Sequence, residues 1–318
     1  MRVDLKRFSK KIVYLTISLM IIVACFMVIR DIIIKQSLKP ASITISTAKY
    51  QAFSLIFIAL QKGYFKEENL SVNVRIFNFG NDALSDVING NSDLATVYDA
   101  PFLNQFSINN DLRIISSSHR SDNTNAVVGL KQNNINQPGD LIGKKIGIAE
   151  GTASELSVLM LLKDYEIPKE AVELVNIDTE QMPIALANNS VQAVSAFDPN
   201  LYNLKKKYRE NLSVFLPNNH FEVSVITGKE EVIKDKEEAV TRFLRAIVKA
   251  EDFAKNNPDE AMQALIDQIP TLDKEVILGT RENYELTTKI DNVLLEVLNT
   301  KGKLINELTG TTSVFFDL

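Results

Sequence analysis

Residues 87–101, VINGNSDLATVYDAP, are echoed further along the chain by residues 186–199, LANNSVQAVSAFDP. Each copy has the pattern of a helix end, a polar turn, a short apolar strand, and then an aromatic residue followed by aspartate. This order is typical of α/β units. Because ligands of open α/β sheets bind beyond the carboxyl ends of the strands, Tyr98-Asp99 and Phe197-Asp198 are the first candidates for a binding cleft.

A matching order of elements precedes each copy and predicts two α/β lobes. Strands are predicted at 70–77 and 172–177, each followed by a helix that leads into the repeated stretch. Repeated βα units favour mostly parallel sheets flanked by helices. The predicted parts are lobe 1 (41–126, completed by 223–318), lobe 2 (127–222), and connecting strands at 126–130 and 223–227.

The composition limits the possible partners and chemistry. The chain has 318 residues, of which 45% are hydrophobic, and a formal net charge of −5. No long basic run follows the first dozen residues, which argues against a nucleic-acid partner. The single cysteine, Cys25, and the two histidines, His119 and His220, argue against structural zinc, disulfides and a Cys-His nucleophile. We expect no metal and no cofactor, and a metal site of His119 or His220 with carboxylates is the less favoured interpretation.

The first forty residues have the pattern of a signal or membrane anchor followed by a spacer. Basic residues precede an uncharged apolar run at 12–29. A helix of this length spans ~27 Å, close to the thickness of a bilayer's hydrocarbon core. Two interpretations remain open: Cys25 is lipidated after cleavage, or the segment stays as an uncleaved anchor. Both predict an extracytoplasmic protein attached to a membrane, in the periplasm or on the outer face of the plasma membrane.

Two predicted helix starts carry groups that suit a ligand. The segment Gly151-Thr152-Ala153-Ser154 places backbone N–H groups and two hydroxyls at a helix start, and Gly80-Asn81-Asp82 has the same place in the other half. Unpaired N–H groups and the helix dipole favour anions at such ends. The alternative is that Thr152 or Ser154 only caps its helix.

The carboxylates at the strand ends favour a positively charged ligand instead. Asp99 and Asp198 beside Tyr98 and Phe197 suit a cationic or amine-bearing ring, on which the aromatic side chains stack. The alternative for both is a turn role before proline. Further candidate ligand-binding residues are Glu150 and the segment Lys49-Tyr50-Gln51, which follows the first predicted strand.

Several motifs in order resemble the substrate-binding proteins of ABC importers, of the nitrate/sulfonate/taurine and thiamine-precursor type. The resemblance covers roughly residues 43–308. The motifs are YFKEENLSV (64–72), NGNSDLA (89–95), DLIGKKIG (140–147), EGTAS (150–154), FDP (197–199) and NNPDEA (256–261). The family often has Trp-Glu-Pro in place of Phe197-Asp198-Pro199, and its ligand-facing residues vary.

This resemblance implies the type II periplasmic-binding-protein fold and no enzymatic activity. It also implies a monomer that closes on a small organic molecule, sulfonate-, nitrate- or pyrimidine-like, and delivers it to an ABC permease. Two alternatives are an enzyme similar to thiamine-pyrimidine synthases on the same fold and a membrane-tethered module that senses a ligand.

Overall fold

The computed structural model describes residues 40–218 and 221–309, together with Phe26. The predicted signal or anchor segment, Cys25 and His220 lie outside these described residues. Within them, no helix has both the length and the apolar character needed to cross a lipid bilayer. The chain from Ser42 onward forms one compact unit.

Two sheets and the helices around them make up this unit. The strands are β1 (Ala41–Ala48), β2 (Leu70–Phe77), β3 (Leu94–Tyr98), β4 (Leu112–Ser121), β5 (Asn125–Leu130), β6 (Lys145–Ile148), β7 (Glu173–Asn176), β8 (Ala193–Phe197), β9 (Leu212–Phe215), β10 (Glu222–Lys229) and β11 (Glu285–Leu286). The helices are α1 (Ser54–Gln61), α2 (Tyr64–Glu67), α3 (Gly80–Ile88), α4 (Asp99–Phe106), α5 (Ala153–Asp164), α6 (Met182–Ala187), α7 (Asn200–Tyr208), α8 (Glu230–Asp235), α9 (Glu237–Asn256), α10 (Pro258–Gln268), α11 (Lys274–Thr280) and α12 (Asn292–Thr309).

The two sheets are mixed, which corrects the expectation of mostly parallel sheets. Their strand orders are β11-β4-β10-β3-β1-β2 and β7-β6-β8-β5-β9. The βα units pair in parallel, β1 with β3 and β6 with both β7 and β8. Strands β10 and β5 instead run antiparallel to their neighbours. The reason is that each arrives from the other sheet and enters against the direction of the βα strands.

The chain passes between the sheets twice, between β4 and β5 and between β9 and β10. Asn125 already pairs with Phe197 in the second sheet, and Glu222 pairs with Ser121 in the first. The strands predicted as connectors are therefore full members of one sheet each, and the connections themselves are the short segments before them. The second sheet begins at Asn125, two residues earlier than the predicted start of lobe 2.

Helix α1 is covered by two of the C-terminal helices. Its residues from Ser54 to Ala59 are all buried. A helix that is apolar on all sides needs cover on all sides, and α9 and α10 both pack against it. Gly63 follows α1 with a φ of 76°, the left-handed conformation that glycine adopts readily where a helix ends.

The helix starts at the two predicted loops differ. Helix α3 begins at Gly80 after Phe79 and has no side-chain cap, so Asn81 and Asp82 lie in its first turn rather than before it. Helix α5 does begin with a cap, because the Thr152 hydroxyl accepts the Ser154 N–H at 3.1 Å. Helix α4 follows β3 directly and is absent from the sequence prediction.

Candidate functional site

A cavity of about 480 Å³ lies where strand ends of the two sheets face each other. The loops that follow β1, β2 and β3 contribute to it from the first sheet, and those that follow β6, β7 and β8 contribute from the second. The lining residues are Tyr50, Phe79, Gly80, Asn81, Asp82, Tyr98, Pro101, Thr124, Ala149, Glu150, Thr152, Ala153, Asn176, Ile177, Asp178, Thr179, Phe197, Asp198, Glu222 and Tyr284. The cavity therefore lies beyond the carboxyl ends of the parallel strands, as ligand sites of α/β sheets do.

Aromatic rings form much of one wall. The Tyr50 ring meets the Tyr98 ring edge to face, with centroids 6.2 Å apart, and meets the Phe197 ring similarly at 6.4 Å. Because Tyr50 belongs to the first lobe and Phe197 to the second, this second contact joins the lobes. Edge-to-face pairs at such distances are favourable, so the wall offers ring surface for an aromatic ligand.

The tyrosines of the wall are neutral phenols at physiological pH. Burial, with the charges of Asp82 and Glu180, raises the pKa of Tyr50 to about 12. Burial also raises the pKa of Tyr98 and of Tyr284 well above the ordinary value. A phenol that keeps its proton can both donate and accept a hydrogen bond.

Asp198 is a buried carboxylate of the cavity with one unsatisfied oxygen. Its Oδ1 accepts the Tyr202 N–H at 3.0 Å, whereas Oδ2 has no hydrogen-bond partner of normal geometry among the described residues. The residue is only 7% exposed. Burial raises the pKa of Asp198 to about 6, although the Tyr202 N–H, Lys205 and the Asn283 side chain partly offset the effect.

Glu222 is a second buried carboxylate, and it is satisfied. Its Oε2 accepts the Thr124 hydroxyl at 2.6 Å, and its Oε1 accepts the Asn125 amide at 3.4 Å. Burial raises the pKa of Glu222, and Lys301 opposes that rise. Thr124 immediately precedes β5 and Glu222 begins β10, so both lie where the chain passes from one sheet to the other. The connections between the lobes therefore contribute to the cavity lining.

Three backbone N–H groups in the loop before α5 already have acceptors. The Gly151 N–H binds the Glu155 carboxylate at 2.8 Å, and the Glu150 N–H binds the Asn176 amide oxygen at 3.2 Å. The Ala149 N–H binds the Ser154 hydroxyl at 3.1 Å. These donors serve the fold and are not directed at the cavity.

Five of the candidate residues lie outside the cavity lining. Four of these make hydrogen bonds within the protein that explain their positions. Asp99 is fully buried, and its Oδ2 accepts both Lys301 Nζ at 2.8 Å and the Val223 N–H at 2.9 Å. The side chain of Gln51 is turned into the protein, where it binds the Ile277 carbonyl at 3.2 Å and the Thr280 hydroxyl at 2.9 Å.

The other three outliers are Ser154, Gly151 and Lys49. The buried Ser154 hydroxyl donates to the Ser195 carbonyl at 2.8 Å and so ties α5 to β8. The Gly151 carbonyl accepts the Asn104 amide at 3.4 Å, which links the loop to α4. Lys49 is half-buried beside the lining residue Tyr50.

The remaining candidates line the cavity together: Tyr50, Gly80, Asn81, Asp82, Tyr98, Glu150, Thr152, Ala153, Phe197 and Asp198. Sequence reasoning missed Tyr284, Glu222 and the segment 176–179 among others. The end of β7 before a helix start was a usable signal for 176–179, because it repeats the arrangement at Gly80. Tyr284 and Glu222 follow no such pattern, since they reach the cavity from elements outside the repeat.

His119 is a buried neighbour of this wall. Its Nδ1 lies 2.8 Å from the Ser224 hydroxyl, and its ring meets those of Tyr98 and Tyr284 at 5.4 Å each. Burial, together with Lys301, lowers the pKa of His119 to about 3, so the imidazole is neutral at physiological pH.

Comparisons with known proteins place this geometry among binding proteins. The family model described as NMT1/THI5 like matches residues 51–261. A putative binding protein of Brucella abortus (strain 2308) is 25% identical over 220 residues, which cover 68% of this chain and 67% of the relative. The formylaminopyrimidine-binding protein of Halalkalibacterium halodurans is 22% identical over 218 residues, or 67% of this chain and 66% of the relative.

A solved structure confirms the fold. The periplasmic aliphatic sulphonate binding protein SsuA from Escherichia coli superposes with a TM-score of 0.73 at 14% identity, over 86% of this chain and 94% of that one. The predicted two-lobed periplasmic-binding-protein fold is therefore confirmed.

Proposed function

The chain belongs to the NMT1/THI5-like family, and from this premise we propose that it is the solute-binding component of an ABC importer. It holds a small organic molecule between its lobes and delivers that molecule to a permease. The single observation that carries the proposal is the cavity, which both sheets line with the loops after their parallel strands. A cavity of about 480 Å³ falls within the range of small-molecule sites.

The connections between the lobes support a binding cycle. Only the segments between β4 and β5 and between β9 and β10 carry the chain from one sheet to the other in the described part. Short connections of this kind allow two lobes to close around a ligand by a hinge motion. We propose that the ligand enters an open form and is enclosed when the lobes approach.

We propose that the protein is not an enzyme. The relatives and the solved structure named above are binding proteins by their names. The described lining of the cavity contains no histidine, cysteine or lysine, which are among the common bases and nucleophiles of catalysis. A thiamine-pyrimidine-synthase-like activity would show itself as a ligand that leaves the protein chemically changed.

We propose an extracytoplasmic location with membrane attachment through residues 1–40. The support is the basic start and the apolar run of the sequence. Mass spectrometry of the N-terminal peptide of the membrane-bound protein separates the two modes of attachment. A peptide that begins at a lipid-modified Cys25 shows lipidation, and an unmodified peptide that includes the residues before Cys25 shows an uncleaved anchor.

The proposed function is tested by mass spectrometry of small molecules released from the purified full-length chain. We expect one released solute that rebinds with unchanged mass, and uptake of that solute by cells should require both this protein and a permease. A purified protein that carries no solute and binds none would contradict the proposal, and so would a solute that it chemically converts.

A further inference from the structure

The charges of the cavity lining have one sign. Five carboxylate side chains line it, those of Asp82, Glu150, Asp178, Asp198 and Glu222. Among the lining residues that the structure describes, none is a lysine or an arginine. A concave site lined by one sign of charge attracts ligands of the opposite sign, so the lining as a whole favours a cation.

Asp198 adds a specific unmet contact. Asp198 lines the cavity and is only 7% exposed, and its buried Oδ2 has no hydrogen-bond partner of normal geometry in the described chain. A buried acceptor without a donor costs free energy. A ligand with an N–H group at this point would remove that cost, whereas an anion would add a second negative charge beside it.

Several of the N–H donors close to the start of α5 are already occupied. The three N–H groups of Ala149, Glu150 and Gly151 all bind acceptors within the protein. The start of α3 presents backbone N–H groups, but Asp82 lies in its first turn and carries a negative charge there. An oxyanion in the cavity would therefore meet carboxylates without a basic side chain to balance them.

The aromatic side chains of the lining also favour a particular kind of ligand. Phe79 and Phe197 join the three tyrosines Tyr50, Tyr98 and Tyr284 around the same space. The faces of such rings attract cations, and their surfaces stack on planar ligands. Rings and carboxylates together select a molecule that is planar in one part and positively charged in another.

We propose that the ligand is a small ring-bearing organic cation with N–H groups, such as a protonated amine or amidine on an aromatic ring. Its N–H group binds Asp198 Oδ2, and the site rejects sulfonates, carboxylates and other anions. This inference rests on the proposed solute-binding function and names the charge and donor character of the solute.

The test is a thermal-shift and calorimetric panel on the detergent-solubilised full-length chain. The panel holds one- and two-ring molecules in four groups: protonated amines and amidines, quaternary ammonium ions without N–H groups, neutral alcohols and amides, and sulfonates and carboxylates. We expect saturable binding from the first group and no comparable binding from the other three.

Variants show whether Asp198 makes the contact. Asp198→Asn keeps the shape of the side chain and removes its charge, and we expect roughly ten- to hundredfold weaker binding of the protonated amines. The matched control is Asp235→Asn, which removes an exposed carboxylate far along the chain in α8 and should bind as the wild type does.

Three results would count against the inference. Binding of an anion, a neutral molecule or a quaternary ion as tightly as the amines would overturn it, and so would wild-type affinity in Asp198→Asn. Each of these leaves the proposed solute-binding function standing. No binding in any of the four groups, with no solute released from the purified chain, would overturn both.

Discussion

Asp99 and Asp198 have the same position in the repeated sequence but different surroundings in the structure. Each follows an aromatic residue at the carboxyl end of a strand. Asp99 is fully buried and bound to Lys301 Nζ at 2.8 Å, whereas Asp198 lines the cavity with one oxygen unpartnered among the described residues. A repeat thus predicts where a residue lies along the chain, but its surroundings decide whether it serves the fold or the ligand.

The difference comes from what covers each lobe. Helix α12 packs against α4 in the first lobe and brings Lys301 to the strand end. Asp198 has no such basic partner within hydrogen-bonding distance in the described chain, and its neighbour Lys205 acts only through its charge. The first aspartate is therefore neutralised by the protein, and we propose that the second is neutralised by the ligand.

The largest expected effect is on the buried pair of the first lobe. Asp99→Ala leaves the Lys301 ammonium buried without its counter-charge, and breaking such a pair destabilises a protein by about 3–5 kcal/mol. Urea denaturation of the two proteins measures the difference. We expect the ligand affinity of the folded fraction to stay near the wild-type value.

The double variant Asp99→Leu with Lys301→Met is the control for this pair. Replacing both partners by apolar side chains removes the uncompensated charge, so most of the lost stability should return. A stable Asp99→Ala protein with weakened ligand binding would show the opposite assignment, with Asp99 in the binding site.

The matching substitution in the second lobe should increase, rather than decrease, the stability of the protein. Asp198→Asn should stabilise the empty protein by about 2–3 kcal/mol at pH 7.5, because ionising a carboxyl whose pKa is raised to about 6 costs free energy only in the folded state. Urea denaturation without ligand, from pH 4 to pH 8, measures this gain.

The stability gain of Asp198→Asn should depend on pH in a defined direction. The folded state holds the Asp198 proton more tightly than the unfolded state, so the wild type loses stability as pH rises from about 4 to about 6. The Asn variant lacks this loss, and the two curves should meet near pH 4. Parallel curves over the whole range would show that the carboxyl is not perturbed.

Ligand affinity should follow the same titration. If the bound solute is the proposed cation, its affinity should fall by about tenfold between pH 7 and pH 5, because Asp198 with a pKa of about 6 is then mostly protonated. Burial also raises the pKa of Glu222, the second buried carboxylate of the cavity. Calorimetry with an amine that remains protonated up to pH 8 measures it, and Asp198→Asn should flatten the profile.

The smallest expected effect concerns the two helix starts. Thr152→Ala removes the hydroxyl that caps α5 and should cost about 1 kcal/mol of stability. Asn81→Ala at the equivalent start of α3 removes no cap and should change stability by less than about 0.5 kcal/mol. Equal losses at both positions would contradict the difference between the loops.

Periodicity predicted most of the elements, because the apolar spacing of a half-buried strand or helix is local information. Strand β2 has the predicted bounds of 70–77, and β7 lies within the predicted stretch 172–177. Helix α4 was missed because Asp99-Ala100-Pro101 has the composition of a turn, while tertiary packing against α12 selects a helix there. Composition at a strand end is thus a weaker guide than periodicity.

The site was predictable only as far as it repeats. The loops after β2, β3, β6 and β8 were found because both halves carry them. Glu222 and Tyr284 come from a returning strand and a C-terminal segment, and no short-range pattern links them to the loops. The charge of the ligand was also undecidable from sequence, because it depends on which charged side chains line the cavity.

The pair between Asp99 and Lys301 spans 202 positions of the chain. The ribosome adds Asp99 long before Lys301, so the carboxylate of a partly synthesised chain has no ammonium group with which to pair. The first lobe can be completed only once the last helix has emerged. If export begins during synthesis, the chain that enters the membrane still lacks Lys301, and the first lobe is completed only after the C-terminal helix has crossed.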